Sequence, residues 1–325
     1  DGGDFTGDVL KRALHGREIQ TEVHDPLGRV IPSKYTLSGK TAVIEMADAS
    51  GMKQLSSGEL DPMETSSYGT GQLIAHAMKS GCSEIWLGIG GSATVDGGAG
   101  MLEALGFRLL DRKKRSLEGK GKNLEQITFI EKPESLTGVA FKIISDVNNP
   151  LLGPSGAAAV FGPQKGASPS MVDSLERGLE NWGHLLEKES REKLVSLGGS
   201  GAAGGIALPL LAFFGAEMVP GARFILDKLD FEKHVHWADI VITGEGKIDG
   251  QSLHDKASFA VAQIAKKLHK PVIGVGGWIE EGGATGFDAV FSFVNRPVTL
   301  EESMDKASPF LYVFSRNLAS LLAVF

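Results

Sequence analysis

Carboxylates, hydroxyls and one lysine stand beside glycines at several points in this chain, mostly where an apolar run stops. The richest case is Ile85-Trp86-Leu87-Gly88-Ile89-Gly90-Gly91-Ser92-Ala93-Thr94-Val95-Asp96-Gly97-Gly98. Glycine lets backbone N–H groups approach an anion closely, and a helix starting just beyond adds the positive end of its dipole. Ser92 and Thr94 can hydrogen-bond phosphate or carboxylate oxygens, and Asp96 can take a proton or hold a metal. Comparable groups follow other apolar runs: Glu45 with Asp48, Asp146 with Asn148, and Glu245 in Thr243-Gly244-Glu245-Gly246-Lys247 with Asp249 and Gln251 beyond it. Lys165 sits in Phe161-Gly162-Pro163-Gln164-Lys165-Gly166, and Ser200 in a glycine cluster at 198–205. A few carboxylates for a cation, together with N–H groups for phosphates, is how a magnesium-phosphate site is composed. The same residues also serve plainer ends. Glu45 and Asp48 can simply face water, Asp146 can form a turn ahead of Pro150, Lys165 can be a surface lysine and Ser200 can cap a helix.

For such groups to meet, strands must deliver them at their carboxyl ends, where ligands sit in open α/β sheets. The spacing predicts a short helix over 8–14, then alternating segments at 19–23, 30–37 and 41–46 broken by turn residues, which is an antiparallel meander. A helix over 70–80 precedes the strand 84–89, and helical spacing resumes after residue 100. A polar linker is expected at 111–123, a strand at 140–144, a long amphipathic helical region at 171–197 and an apolar helix at 206–214. The last third changes rhythm: short apolar runs at 238–243, 271–275 and 289–293, with a helix at 258–268 and a closing helix at 308–325, read as a doubly wound parallel sheet. The expected fold class is α/β with two domains, one a Rossmann-like parallel sheet and one a mixed-sheet α/β domain, with a cleft between them.

Composition narrows the partners. The 325 residues are 42% hydrophobic with a formal net charge of −7, enough apolar mass for a large core and the wrong charge for a general nucleic-acid or membrane-surface binder. Cys82 is the single cysteine, so no intrachain disulfide forms and a reducing, cytoplasmic setting is expected. The longest apolar stretch, 206–218, is interrupted by Pro209 and Gly215 and is too short to span a bilayer. The first residue is Asp and not Met, so the natural amino terminus is expected to lie outside this numbering. Oligomeric state stays open between monomer and homodimer.

Other signatures are absent or poor. No Walker-type phosphate loop, His-Glu-x-x-His or Gly-x-Ser-x-Gly elbow is present. Gly88-Ile89-Gly90-Gly91-Ser92-Ala93 fits a loose dinucleotide fingerprint, with Asp111 near the distance of a ribose ligand. An NAD-dependent hydroxy-acid dehydrogenase is therefore an alternative reading. A non-catalytic metabolite-binding protein is a third, disfavoured by the many acids at strand ends.

Seven segments together resemble the bacterial type I glycerate kinases, the glycerate 2-kinase family. They are Ile44-Glu45-Met46-Ala47-Asp48-Ala49-Ser50-Gly51, Tyr68-Gly69-Thr70-Gly71, residues 88–98, Asp146-Val147-Asn148-Asn149-Pro150-Leu151, Val160-Phe161-Gly162-Pro163-Gln164-Lys165-Gly166-Ala167, Gly201-Ala202-Ala203-Gly204-Gly205 and Val241-Ile242-Thr243-Gly244-Glu245-Gly246. They run in family order across the visible chain. The resemblance implies ATP-dependent phosphorylation of D-glycerate, at the 2-hydroxyl, with Mg2+. It also implies a Rossmann-like domain made of residues 1–18 and 232–325, and a middle domain of 19–231. Relatives carry a further strand and a Ser-Phe-Lys-Gly-Ser-type loop ahead of the segment that Asp1-Gly2-Gly3-Asp4 resembles. Val95 replaces their usual Asn, and His254-Asp255-Lys256 their usual His-Gly-Lys.

In-line phosphoryl transfer on this scaffold assigns expected roles. Asp146, or alternatively Asp96, orients or deprotonates the attacking hydroxyl. Gly90, Gly91, Ser92 and Thr94, with Asn148, bind the substrate, whose carboxylate lies on the loop amides or on Lys165. Thr243, Gly244, Glu245 and Gly246 meet the nucleotide, and Glu245 and Asp249 hold magnesium.

Overall fold

The alternating pattern at the start of the chain does fold as a meander. Helix α1 (Thr6–Ala13) leads into β1 (Arg17–His24), β2 (Val30–Ser38) and β3 (Thr41–Glu45), with β1–β2 and β2–β3 antiparallel. A computed structural model describes residues 3, 5–134, 138–249, 257–280 and 285–324 of the chain. Asp1, Gly2, Asp4, Gln251 and His254-Asp255-Lys256, all singled out above, lie outside the described residues.

After β3 the pairing turns parallel. A short α2 (Ala47–Ser50) and α3 (Tyr68–Lys79) return the chain to β4 (Glu84–Gly88), parallel to β3. Then come α4 (Ala99–Ala104), a small antiparallel pair β5 (Arg108–Leu110) and β6 (Phe129–Glu131), and β7 (Ala140–Ile144) beside β4. Helices α5 (Pro169–Ser190) and α6 (Ala207–Phe214) precede β8 (Glu217–Val219) and α7 (Gly221–Lys228). The result is one mixed six-stranded sheet, ordered β1-β2-β3-β4-β7-β8. Both its faces are covered, which is why its central strands read as continuous apolar runs. Ala42, Ile44, Ile85, Leu87 and Ile143 face Leu73, Ile74 and Ala77 of α3 and Leu210 of α6. The alternate side chains Val43, Trp86 and Ile144 face Leu10 of α1 and Phe224. Each fully buried Leu or Ile contributes about 1.5–3 kcal/mol, so these two layers fix the strand ends.

The polar stretch 111–123 is better structured than its composition suggests. Asp111 accepts from the backbone N–H of Lys113 and Arg115 and from the Arg115 side chain, closing a tight turn. Helix α5 stops at Ser190, seven residues short of the expected end, where Arg191 adopts a left-handed conformation.

The chain divides into compact units Asp1–Ile225 and Leu226–Phe325. This division differs from the expected grouping of 1–18 with 232–325. Leu10 is the reason: its side chain is fully buried against Val43, Trp86 and Ile144, so α1 packs on the large sheet. In the second unit α8 (Phe231–Trp237) precedes β9 (Val241–Ile248), α9 (Ala257–Lys267), β10 (Val272–Ile279), β11 (Ala289–Ser292), α10 (Leu300–Asp305) and α11 (Ala307–Leu322). Its three strands are parallel in the order β11-β10-β9. Val241 and Val272 pack with Ala262, Ile264 and Ala265 of α9, while Ile273 and Val275 pack with Leu318 of α11. Helices pack on both faces of this parallel sheet, while the order of its described strands contains no reversal, the mark of the double winding expected from the last third. No helix among the described residues is long and apolar enough to cross a membrane.

Candidate active site

The parallel strands β3, β4 and β7 end on the same edge of the large sheet, and their loops build a small pocket. The β4–α4 loop is stitched to the segment after α2: Met52 N–H donates to the Gly91 carbonyl at 3.0 Å and Ala93 N–H to the Ser50 carbonyl at 2.9 Å. Among the described residues, no acceptor in the chain meets the N–H groups of Gly90 and Gly91. Lys165 enters from the turn Pro163–Lys165, and its side chain is 1% exposed. Its Nζ donates to Ser92 Oγ and to the Thr94 carbonyl, each at 2.7 Å. Burial pulls the Lys165 ammonium down to about 7, opposed only in part by the charge of Asp96. The pocket has a volume of about 130 Å³ and is lined by Gly90, Gly91, Ser92, Ser145, Gln164 and Lys165, with Met52, Ile89, Val147, Phe161, Ala202 and Ala203 as its apolar part.

Asp96, fully buried, serves the architecture around this pocket. Its Oδ2 accepts from Ser67 N–H and Ser67 Oγ, both at 2.7 Å, and from Gly100 N–H at 3.3 Å, while Oδ1 accepts from Gly98 N–H at 3.1 Å. Ser67 Oγ in turn accepts from Met101 N–H at 2.9 Å. One carboxylate and one hydroxyl thus tie together the amino-terminal turns of α3 and α4, where a negative charge also favours both dipoles. Burial pushes the Asp96 carboxyl up, and the donors from Ser67, Gly98 and Gly100 pull it back. Thr94 contributes its carbonyl to Lys165; its buried hydroxyl meets no partner among the described residues.

The other expected residues of this unit stand apart from the pocket. Asp146, half-buried at the end of β7, turns both carboxylate oxygens to the Ala222 N–H at 3.2 Å, in the first turn of α7. Asn148 is exposed, with its Oδ1 against Gly198. Glu45 is buried, accepts from Gly7 N–H at 2.5 Å, and lines a separate pocket of about 280 Å³ with Asp8, Glu18, Lys34, Asp48 and Lys53. The sequence reading did not single out Ser145, Gln164 or Ala203 as site residues. Adjacency to Asp146, to Lys165 and to the 198–205 glycines was the available signal. Ala203, at φ 51°, holds the kink that brings the 202–205 segment to the pocket wall.

In the second unit, Thr243, Gly244, Glu245 and Gly246 do not form a loop after a strand. They are part of β9, paired with β10 from Val272 through Ile279. They form one wall of a pocket of about 570 Å³ whose other sides are mostly apolar, including Val275, Phe293, Phe314 and Leu318. Glu245 Oε1 accepts from Ser258 Oγ at 2.6 Å, and Asp249 pairs with Lys247 at 3.1 Å. Three residues of extended chain lie between Glu245 and Asp249, four rises of about 3.3 Å or about 13 Å in all, so the two cannot share one ion. No group of three or more metal-binding side chains occurs among the described residues. The carboxylates among the described residues therefore do not fit a resident magnesium site.

The dinucleotide alternative also fails on geometry. Asp111, its expected ribose ligand, has its oxygens occupied by Lys113 and Arg115. Helix α4 starts only at Ala99, eight residues past Gly91, whereas the fingerprint opens directly into a helix.

A mixed α/β scaffold whose strand-end turns surround a small, lysine-bearing pocket fits enzymes that act on small anionic metabolites. The model of the glycerate kinase family matches residues 1–323, and the chain belongs to that family. It is 40% identical to the glycerate 2-kinase of Escherichia coli strain K12, over 100% of this chain and 87% of that protein. With the glycerate kinase of Bacillus subtilis strain 168 it shares 40% identity over 98% of this chain and 86% of the relative. A solved structure from Salmonella typhimurium LT2, assigned as glycerate kinase 2, superposes with a TM-score of 0.83 at 42% identity, covering 100% of this chain and 87% of that one.

Proposed function

We propose that this protein is an ATP-dependent glycerate kinase, transferring the γ-phosphoryl group of ATP to the 2-hydroxyl of D-glycerate to give 2-phosphoglycerate and ADP. The observation that carries the reading is the pocket at the ends of β4 and β7. At about 130 Å³ it is much smaller than the 570 Å³ pocket of the second unit, which suits a small acid. Acceptor-free N–H groups at Gly90 and Gly91 suit the carboxylate of the acid, and Ser92, Ser145 and Gln164 offer partners for its hydroxyls. Lys165 supplies the ionisable group beside the acceptor. Asp96 acts through its hold on α3, α4 and the loop between Ser92 and Gly98.

The nucleotide is assigned to the second unit, on Thr243, Gly244, Glu245 and Gly246, where an apolar wall and a strand edge stand together. Magnesium enters as MgATP, held by phosphates and water in the usual manner of this ion. Transfer then depends on alignment and charge neutralisation. A reaction that consumes ATP supports a cytoplasmic location. The test is an ADP-release assay with MgATP and D-glycerate, followed by separation of 2- and 3-phosphoglycerate. ADP release with D-glycerate and none with lactate supports the reading. A 3-phosphoglycerate product overturns the 2-hydroxyl assignment, and silence with ATP overturns the kinase.

A further inference from the structure

Phosphoryl transfer from an alcohol must dispose of one proton, and the acceptor pocket restricts which group can take it. Among the described residues lining that pocket, Lys165 is the only titratable side chain. Both carboxylates expected for the task are committed elsewhere: Asp96 has its oxygens covered by four N–H and O–H donors, and Asp146 lies outside the pocket on the Ala222 amide. We infer that Lys165, as the neutral amine, is the general base that removes the proton from the attacking hydroxyl of glycerate. The inference rests on the glycerate kinase reading and deepens it.

The geometry of the amine favours the neutral form. Nζ is tetrahedral, and two of its three free directions are taken by Ser92 Oγ and the Thr94 carbonyl at 2.7 Å. A neutral amine has two N–H donors for these two acceptors and keeps a lone pair for the pocket. An ammonium would carry a third N–H, a full charge and a heavy desolvation cost in a side chain 1% exposed. Asp96 is the one charged group acting on Lys165; the residues that line the pocket beside it, at 52, 89–92, 145, 147, 161, 164, 202 and 203, carry no charge. The amine is accordingly poised at about 7, where a base works at neutral pH.

In the step, the glycerate hydroxyl oxygen bonds to the γ-phosphorus of ATP. The bond from that phosphorus to the β–γ bridging oxygen breaks, and its electron pair leaves with ADP. The hydroxyl proton passes to the Nζ lone pair, and the resulting ammonium gives it to solvent when product departs. Lys165 thus lends proton-accepting power where a lysine is more often met as a fixed positive charge.

Three variants, in the Cys82→Ala background that serves as reference, test this. Lys165→Arg keeps a cation but cannot accept a proton at neutral pH. Lys165→Met keeps the length without the nitrogen. Lys165→Cys, alkylated with 2-bromoethylamine, restores an amine of lower basicity. The measurements are kcat, KM for ATP and D-glycerate across pH 5.5–9, D-glycerate binding by calorimetry and a thermal melt of each variant. The reference enzyme should lose kcat/KM about tenfold per pH unit below about 7. Lys165→Arg should bind D-glycerate within about fivefold yet lose at least about 100-fold in kcat. Alkylation should return at least about a tenth of the reference kcat, with the acid limb displaced to lower pH. Lys165→Arg turning over within about fivefold of the reference overturns the base role, because charge alone then suffices. An acid limb unmoved after alkylation overturns it too, and this arm reads the chemistry even where Arg or Met disturbs folding. No ADP from the reference enzyme itself would instead sink the kinase reading beneath it.

Discussion

Two glycine-bearing segments that read alike along the chain take opposite forms. Residues 88–98 leave β4 as a true loop: Gly91, Gly97 and Gly98 have φ values of 71°, 58° and 72°, and the loop wraps a buried carboxylate and a buried lysine. Residues 243–246 never leave their strand. Gly244 pairs with Val275, and a Cβ there would meet the Val275 carbonyl oxygen at 2.3 Å. In the first segment glycine supplies backbone conformations that side chains resist. In the second it lets backbone and neighbour approach. The pockets differ accordingly, one small with a buried lysine in its wall, the other large with no lysine in its lining. Glycine next to an acid is thus one signature for two physical needs, and only the first need creates a place for an anion beside buried ionisable groups.

The sharpest way to break this comparison is Gly97→Ala. The new Cβ would stand 2.4 Å from Trp182 Cδ1 at a left-handed φ, and Trp182 Nε1 donates to the Gly97 carbonyl at 2.8 Å. The expected loss is about 3 kcal/mol of stability by urea denaturation. Next comes Asp96→Asn, which replaces one acceptor oxygen by a donor facing N–H groups. We expect about 2 kcal/mol of destabilisation, and a kcat reduced through displacement of the loop and Lys165. An Asp96→Asn enzyme with wild-type stability would show that the carboxylate does not knit α3 to α4.

A third effect is visible only with pH. Lys165 holds its proton to about 7 when folded but to its ordinary 10.5 when unfolded, so the unfolded chain binds more protons between these values. Stability contributed by this site therefore rises with pH across that window and is flat below it. The slope is at most about 1.4 kcal/mol per pH unit. Lys165→Met should be more stable than wild type at pH 7, with the gap narrowing by pH 9; a gap independent of pH would mean the amine is not buried as described. The smallest effect sharpens the comparison from its other side. Gly246→Ala meets nothing within 4 Å and should shift stability by no more than about 0.5 kcal/mol in the same denaturation experiment.

Periodicity made most of the elements legible. Alternation over 19–46 became β1–β3, and the apolar runs at 84–89, 140–144, 271–275 and 289–293 became β4, β7, β10 and β11. The strand expected at 238–243 was displaced, because Gly244, Glu245, Gly246 and Lys247 are poor strand formers alone and extend only by pairing with β10. Of the expected site, Gly90, Gly91, Ser92 and Lys165 line one pocket, with Thr94 holding the lysine. Asp146 and Asn148 do not join them, since nothing local in Ser145-Asp146-Val147-Asn148 tells a helix cap from a ligand.

What the chain determined by itself is the order of strands and helices, the positions where glycine bends or admits the backbone, and the family to which those segments belong. Which ionisable groups are buried was decided only in three dimensions. Lys165 lies 73 residues from Ser92 in sequence, and Asp96 lies 29 from Ser67. Desolvation depends on every neighbour that excludes water, and no periodicity in the sequence encodes those neighbours. A surface lysine and a buried proton acceptor are spelled identically until the sheet folds around one of them.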